Sequence, residues 1–283
     1  MLNIKFLVNP GLRIVLLFLT WIVGSVVVAL LSFLLIRLFA GNMLGYTRLA
    51  VLFQDIFMWI VPALVTAVII TRQPAGLLAI DRWPSLRQLV LGVLLLIVSS
   101  PFMSWVIRLN ADLHLPESMA GIEAAMRTME ANAEQTIQTM LAAQSIGAVI
   151  VNVLIIGIFA GFSEELFFRG AMQRIIGSGS LSAHAAIWIT AFIFSAMHLQ
   201  FFGFVPRMLL GAAFGYLLLW SGSVWLPMFV HALNNSLYVA LYSATGSGDP
   251  DYTGLWTSWA GIALSAILTA ATFYTLHRTA RKQ

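Results

Sequence analysis

The chain has no cysteine among its 283 residues. That removes disulfides, thiolate metal sites and a cysteine nucleophile in one step. Charge is also scarce: 11 acidic and 15 basic residues make up only 9% of the chain, against about 25% in a soluble domain. With 60% hydrophobic residues and a mean hydropathy of +0.92, a soluble globular fold is excluded. The short alternating segments of a membrane β-barrel are missing too. The net charge of +4 is small and spread over loop ends, so it reads as topology information and contact with membrane lipids, not as a nucleic-acid footprint. No internal repeat or low-complexity linker divides the chain. One integral-membrane domain, residues 1–283, is the expectation, with a catalytic core at about 145–240.

What remains is a series of long apolar runs. They predict an all-α, polytopic membrane helical bundle of about eight transmembrane helices, near 14–38, 49–70, 89–107, 142–162, 183–198, 205–220, 228–242 and 255–276. The first run, Ile14 to Ile36, is too long for a signal-peptide core and reads as a retained span. Between the third and fourth runs, Met119, Ile122, Met126, Met129, Ala133, Ile137 and Met140 recur every three or four residues among Glu and Gln. This spacing predicts an amphipathic extramembrane helix near 117–140, lying on the outer surface or capping the bundle, with a lid or recognition role as the alternative.

Loop charges orient the chain. Lys5, Arg13, Arg72, Arg82, Arg87, Arg169, Arg174, Arg278, Arg281 and Lys282 fall on one side, and Arg37, Arg48, Arg108, Arg127 and Arg207 with the acidic stretches around Glu117–Glu134 and at Asp249 and Asp251 on the other. The positive-inside rule then puts both termini in the cytoplasm of a multi-pass cell-membrane protein. Trp83, Trp220, Trp225 and Trp256 lie near span boundaries, as interfacial anchors do.

Two of the few acids stand side by side, in Glu164-Glu165-Leu166-Phe167-Phe168-Arg169-Gly170, at the end of the run from Leu154 to Phe162. A charge at membrane depth costs roughly 2.5–3.5 kcal/mol on insertion scales unless it is paired or faces water. On a helix Glu165 and Arg169 share a face in the favourable Glu-then-Arg order. Glu164 is rotated by about 100° from Glu165 and is left free to act as a base. The bland reading of both acids is a structural cap with Arg169 and Arg174.

Of the five histidines, His114 and His277 read as loop or tail and His184 as interfacial. His198 closes the fifth run, and His231 sits early in the seventh with Asn235 four residues on, on the same face. A histidine and an amide together can donate to one developing oxyanion, and His198 can share a proton with Glu164 across a water. These are the parts of a peptide-bond hydrolysis without a covalent intermediate. Burial of the whole set makes sense around a water-filled cavity. Asp55 in the second run reads as an interhelical contact or a cavity-lining group. Gly157-x-x-x-Gly161 and Gly211-x-x-x-Gly215 are small-xxx-small packing patterns.

Taken together and in this order, Glu164-Glu165-x-x-x-Arg169, Phe194-x-x-x-His198 and His231-x-x-x-Asn235 resemble the CAAX-prenyl-endopeptidase and bacteriocin-processing (CPBP, or Abi) family of intramembrane glutamic proteases. The match covers about residues 145–240. It implies a metal-independent endopeptidase with no cofactor, acting on a membrane-associated or lipidated peptide or protein. By that resemblance Glu164 and His198 activate water, His231 and Asn235 form the oxyanion hole, Glu165 and Arg169 support the site, and Phe194 lines it. Three rivals stay open: a non-enzymatic membrane scaffold or bacteriocin-immunity protein, a zinc-dependent protease using Glu164, His198 and His231, and a small-solute transporter.

Overall fold

A computed structural model describes residues 9–39, 41–143, 145–246 and 258–280. Lys5, Asp249, Asp251, Trp256, Arg281 and Lys282 lie outside them. The described chain is all-helical: α1 Pro10–Leu38, α2 Met43–Ile70, α3 Leu86–Ala111, α4 Ala120–Leu141, α5 Ile146–Gly177, α6 Ala183–Met197, α7 Phe204–Ser221, α8 Trp225–Thr245 and α9 Trp259–Ala280. Six stretches are long and apolar enough to cross a membrane: α1, α2, α3, α5, α9 and Phe201–Ser221, which contains α7. α6 is apolar but short, and α8 carries His231 and both asparagines. Among the described residues each of the eight predicted apolar runs contains a helix, and the chain is a multi-pass membrane protein.

α5 is the axis of the bundle. Its first half packs against α8, and its second half against α2, α6 and α7. A helix buried on so many sides in lipid gains little from hydrophobicity, because lipid tails are equally apolar; close packing and polar contacts hold it instead. Small residues provide the closeness. A Cβ on Gly161 would lie 2.8 Å from the Ala232 backbone nitrogen, so α5 and α8 touch backbone to backbone there. Farther along, Phe167, Phe168 and Met172 are sealed among Trp59, Leu78 and Phe194. Trp59 meets both phenylalanine rings at 5.2 Å between centroids.

One span runs past its expected end, another keeps its expected bounds but is short, and both facts bear on the site. The fourth run does not stop at Phe162. α5 continues for 32 residues to Gly177, about 48 Å, so the doublet lies well inside it and not at its end. Arg169 is consequently fully buried and belongs to no loop. Arg174, half-buried, donates to the carbonyls of Gly76 and Leu77. By contrast α6 stops after 15 residues, about 22 Å, short of the ~30 Å hydrocarbon core. His198 at its end therefore sits within the bundle.

Asp55–Ile60, Val153–Phe159 and Leu166–Gln173 are wound as π-helix, a form concentrated at functional sites. The last two flank the turn that carries the doublet. α4 is a helix as the spacing predicts, but its inward stripe is Glu123, Met126, Glu130, Ala133, Ile137 and Met140. Met119, Ile122 and Met129 face outward and are exposed. The glutamates turned the helix: Glu123 accepts from Leu115 N and Arg127, and Glu130 from Phe202 N. His277 is not in a tail; it lies inside α9 with its ring against Trp220.

Candidate active site

Three helices bring Glu164, His198 and His231 to one place. Glu164 projects from α5 with its side chain 15% exposed. Its Oε1 stands 3.9 Å from His198 Nε2, and its Oε2 3.9 Å from His231 Nε2. The carboxylate is thus straddled by two imidazoles. Both separations exceed a direct hydrogen bond and are of the kind a water completes.

Each imidazole is oriented through its other nitrogen. His198 caps α6, and its Nδ1 lies 2.7 Å from the carbonyl oxygen of Phe194. A carbonyl only accepts, so Nδ1 carries a proton, and Nε2 is the nitrogen turned toward Glu164. Leu199, the next residue, takes a left-handed φ of 55°, a conformation that costs roughly 1–2 kcal/mol. That turn ends α6 and swings Gln200 toward α7. His231 Nδ1 lies 2.9 Å from Glu165 Oε1, and Phe214 stacks on the ring at 4.7 Å.

Glu165 and Arg169 form the dry floor. Both side chains are fully buried, and Arg169 Nη1 donates to Glu165 Oε1 at 2.7 Å. Nη2 donates to the carbonyl oxygen of Gly211 at 2.8 Å. The guanidinium also lies 4.6 Å from the Phe194 ring centroid, a cation–π contact made stronger by desolvation. Gly211 has to be small: a Cβ there would come within 3.0 Å of Arg169 Nη2 and 3.1 Å of the Phe194 ring. A buried ion pair of this kind holds only when its hydrogen bonds are well made. Here Glu165 Oε2 and Arg169 Nε remain unpartnered.

Asn235 is one turn beyond His231 on α8. Its amide donates to the Ile156 carbonyl oxygen at 3.3 Å, and its own oxygen accepts from Asn234 at 3.2 Å. The acceptor lies in the π-wound Val153–Phe159 stretch. Phe194 packs edge-on to His198 at 4.8 Å and to His231 at 6.3 Å. The structure therefore gathers Glu164, Glu165, Arg169, Phe194, His198 and His231, with Asn235 at the margin and tied to α5. Among the described residues, no group of three or more His, Asp or Glu side chains is disposed to hold a metal ion.

The sequence reading marks Asp55 as an interhelical contact or a cavity-lining group, and misses Gln173 and Phe214. Asp55 is 2% exposed, interacts with Ser163 and Glu164, and leaves one carboxylate oxygen without a partner. Gln173 donates to the Gly215 carbonyl oxygen at 3.1 Å. Phe214 had no signal beyond its place between the two glycines of the α7 pattern.

The chain is 24% identical over 93 residues, 31% of its length, to the uncharacterized protein YpbD of Bacillus subtilis (strain 168). That alignment spans 44% of the relative, less than half its length. No solved structure gives a significant match. Residues 146–237 match the family model described as type II CAAX prenyl endopeptidase Rce1-like. The stretch that holds all three motifs, from the start of α5 to Asn235 in α8, is therefore similar to the Rce1-like CAAX prenyl endopeptidases.

Proposed function

We propose that this protein is a membrane-embedded, metal-independent glutamic endopeptidase that hydrolyses a peptide bond of a membrane-associated or lipidated peptide or protein. The observation that carries the reading is the Glu164 carboxylate set between two Nε2 atoms, 3.9 Å from each, by three separate helices. The similarity of residues 146–237 to a CAAX endopeptidase family supports the same reaction class.

In this reading Glu164 and the His198 lone pair take a proton from a water between them. The resulting hydroxide adds to the scissile carbonyl carbon, and the carbonyl oxygen becomes an oxyanion. That oxygen is met by donors from His231 and Asn235. For Nε2 of His231 to donate, the ring must carry both protons, with Glu165 holding the one on Nδ1. The proton gained by the Glu164–His198 pair passes to the leaving nitrogen, the C–N bond breaks, and a carboxylic acid and an amine are released. Glu165 and Arg169 keep His231 in place, and Phe194 walls the pocket. In the same reading both termini are cytoplasmic, since the positive-inside rule assigns Arg13, Arg72, Arg82, Arg87 and Arg278 to that side.

The test is a comparison of peptide termini in membranes carrying the wild-type chain and the Glu164→Gln variant. New termini that appear only with the wild type are expected. Identical termini in both would favour the non-enzymatic scaffold reading.

A further inference from the structure

Arg207, in the first turn of α7, stands beside the site and has no role in the chemistry above. Its guanidinium is bonded to Gln200: Nη1 donates to the Gln200 carbonyl oxygen at 3.3 Å and Nη2 to Gln200 Oε1 at 2.5 Å. Gln200 is two residues past His198, so the strained turn that ends α6 also brings this cation next to the reacting imidazole. Arg207 interacts electrostatically with Glu164 and with Glu130 of α4, and His198 feels its charge. Yet among the described residues no carboxylate lies within ion-pair distance of it.

The other arginines around the bundle are satisfied differently. Arg169 is paired with Glu165, Arg127 with Glu123, and Arg48 is bonded to Asn152 and the Ala148 carbonyl. Arg207 is half-buried and always charged. Two of its five N–H donors are spent on a neutral amide. Gln200 holds the fork in place, and among the described residues no carboxylate closes on it as an ion pair. A fixed guanidinium with free donors fits a carboxylate, because the planar fork and the two oxygens match in spacing.

We propose that Arg207 is an anion subsite of the catalytic cavity and binds a carboxylate of the substrate peptide while the scissile bond lies at Glu164 and His198. The proposal rests on the endopeptidase reading and extends it to substrate choice. The carboxylate has two sources, the free end of the chain or an Asp or Glu side chain near the bond.

Three lipid-anchored fluorogenic peptides of one sequence separate these sources: a free C-terminal acid, its amide, and the amide with one added glutamate. Cleavage is measured in proteoliposomes with wild type, Arg207→Gln and Arg207→Lys, and binding by fluorescence anisotropy on Glu164→Gln with and without Arg207→Gln. In wild type, KM for the acid should be lower than for the amide by at least about tenfold, the lower end of what one hydrogen bond to a charged group contributes. Arg207→Gln should erase that difference, and Arg207→Lys should keep part of it. Recovery of tight binding by the added glutamate assigns the subsite to a side-chain carboxylate; recovery by the acid alone assigns it to the chain end. Acid preference in binding without any turnover would sink the protease reading and leave the subsite standing. Equal KM and equal binding for all three peptides in the wild-type background, or a fall in kcat alike for all three in Arg207→Gln, would overturn the proposal.

Discussion

His231 Nδ1 lies 2.9 Å from Glu165 Oε1, the same oxygen that accepts from Arg169 Nη1 at 2.7 Å. One carboxylate thus joins α8 to α5 and fixes the face that His231 turns to Glu164. The two glutamates of the doublet divide the labour by a rotation of about 100°. Glu165 is sealed in the floor, and Glu164 is left partly open beside both imidazoles.

Replacing Glu164 or His198 by alanine should remove peptide hydrolysis, a loss of about 10²–10⁴-fold for a positioned acid–base group. Helicity and membrane insertion should persist, since neither side chain is in the packed floor. Turnover in proteoliposomes, read beside circular dichroism, is the check; full activity in both variants defeats the mechanism.

Arg169→Met should act on stability. It leaves Glu165 buried without its cation, a situation that costs about 3–5 kcal/mol. Thermal unfolding in detergent should show a markedly lower midpoint than that of Glu164→Ala. A midpoint equal to wild type would mean that the ion pair carries little of the fold.

Gly161→Val should separate α5 from α8. The added carbon would meet Ala232 backbone atoms at 2.8 and 2.9 Å, and backbone cannot swing aside as a side chain can. Overpacking of this sort costs about 1–3 kcal/mol. Because Glu164 lies one turn on, turnover should fall further than stability alone accounts for. Activity that follows the unfolded fraction and nothing more would contradict this.

Chelation should leave hydrolysis unchanged if the water is activated by Glu164 and His198 alone. Elemental analysis of purified protein belongs with it. Stoichiometric zinc lost together with activity would replace the proposed mechanism by a zinc-dependent one.

Acid should loosen the junction between α3 and α4. Hydrogen bonds from Leu115 N, Arg127 and His114 hold the Glu123 carboxyl down at about 2, against about 4.3 in an unfolded chain. A folded value below the unfolded one stabilises fully above the unfolded value and is lost as pH falls toward the folded value. Hydrogen-exchange protection of residues 113–127 should therefore hold at neutral pH and decline from about pH 4.3 downward. Glu123→Gln should show weak protection throughout, and protection independent of pH in the wild type would refute the assignment.

Much of this was legible along the chain. The apolar runs announced a helical membrane bundle because hydropathy over about 20 residues is a local property. The Glu165–Arg169 pair followed from helical spacing, and the two small-residue patterns marked where α5 meets α8 and where α7 meets α5 and α6. At α4 the spacing predicts the amphipathic helix but not which stripe meets the bundle, because Glu123 and Glu130 find partners in Leu115 and Phe202 that no periodicity encodes.

By itself the sequence determined the class of fold, the elements, and which rare polar residues stand inside apolar helices, since those depend on neighbours three or four places away. Tertiary structure alone decided that the end of α6 lays His198 beside Glu164, that His231 is held by Glu165, that the Asn235 amide is tied to Ile156, and that Arg207 is bonded to Gln200. Those outcomes turn on the depth and rotation of one helix against another. Packing over tens of ångströms sets both, and no short window of residues contains that information.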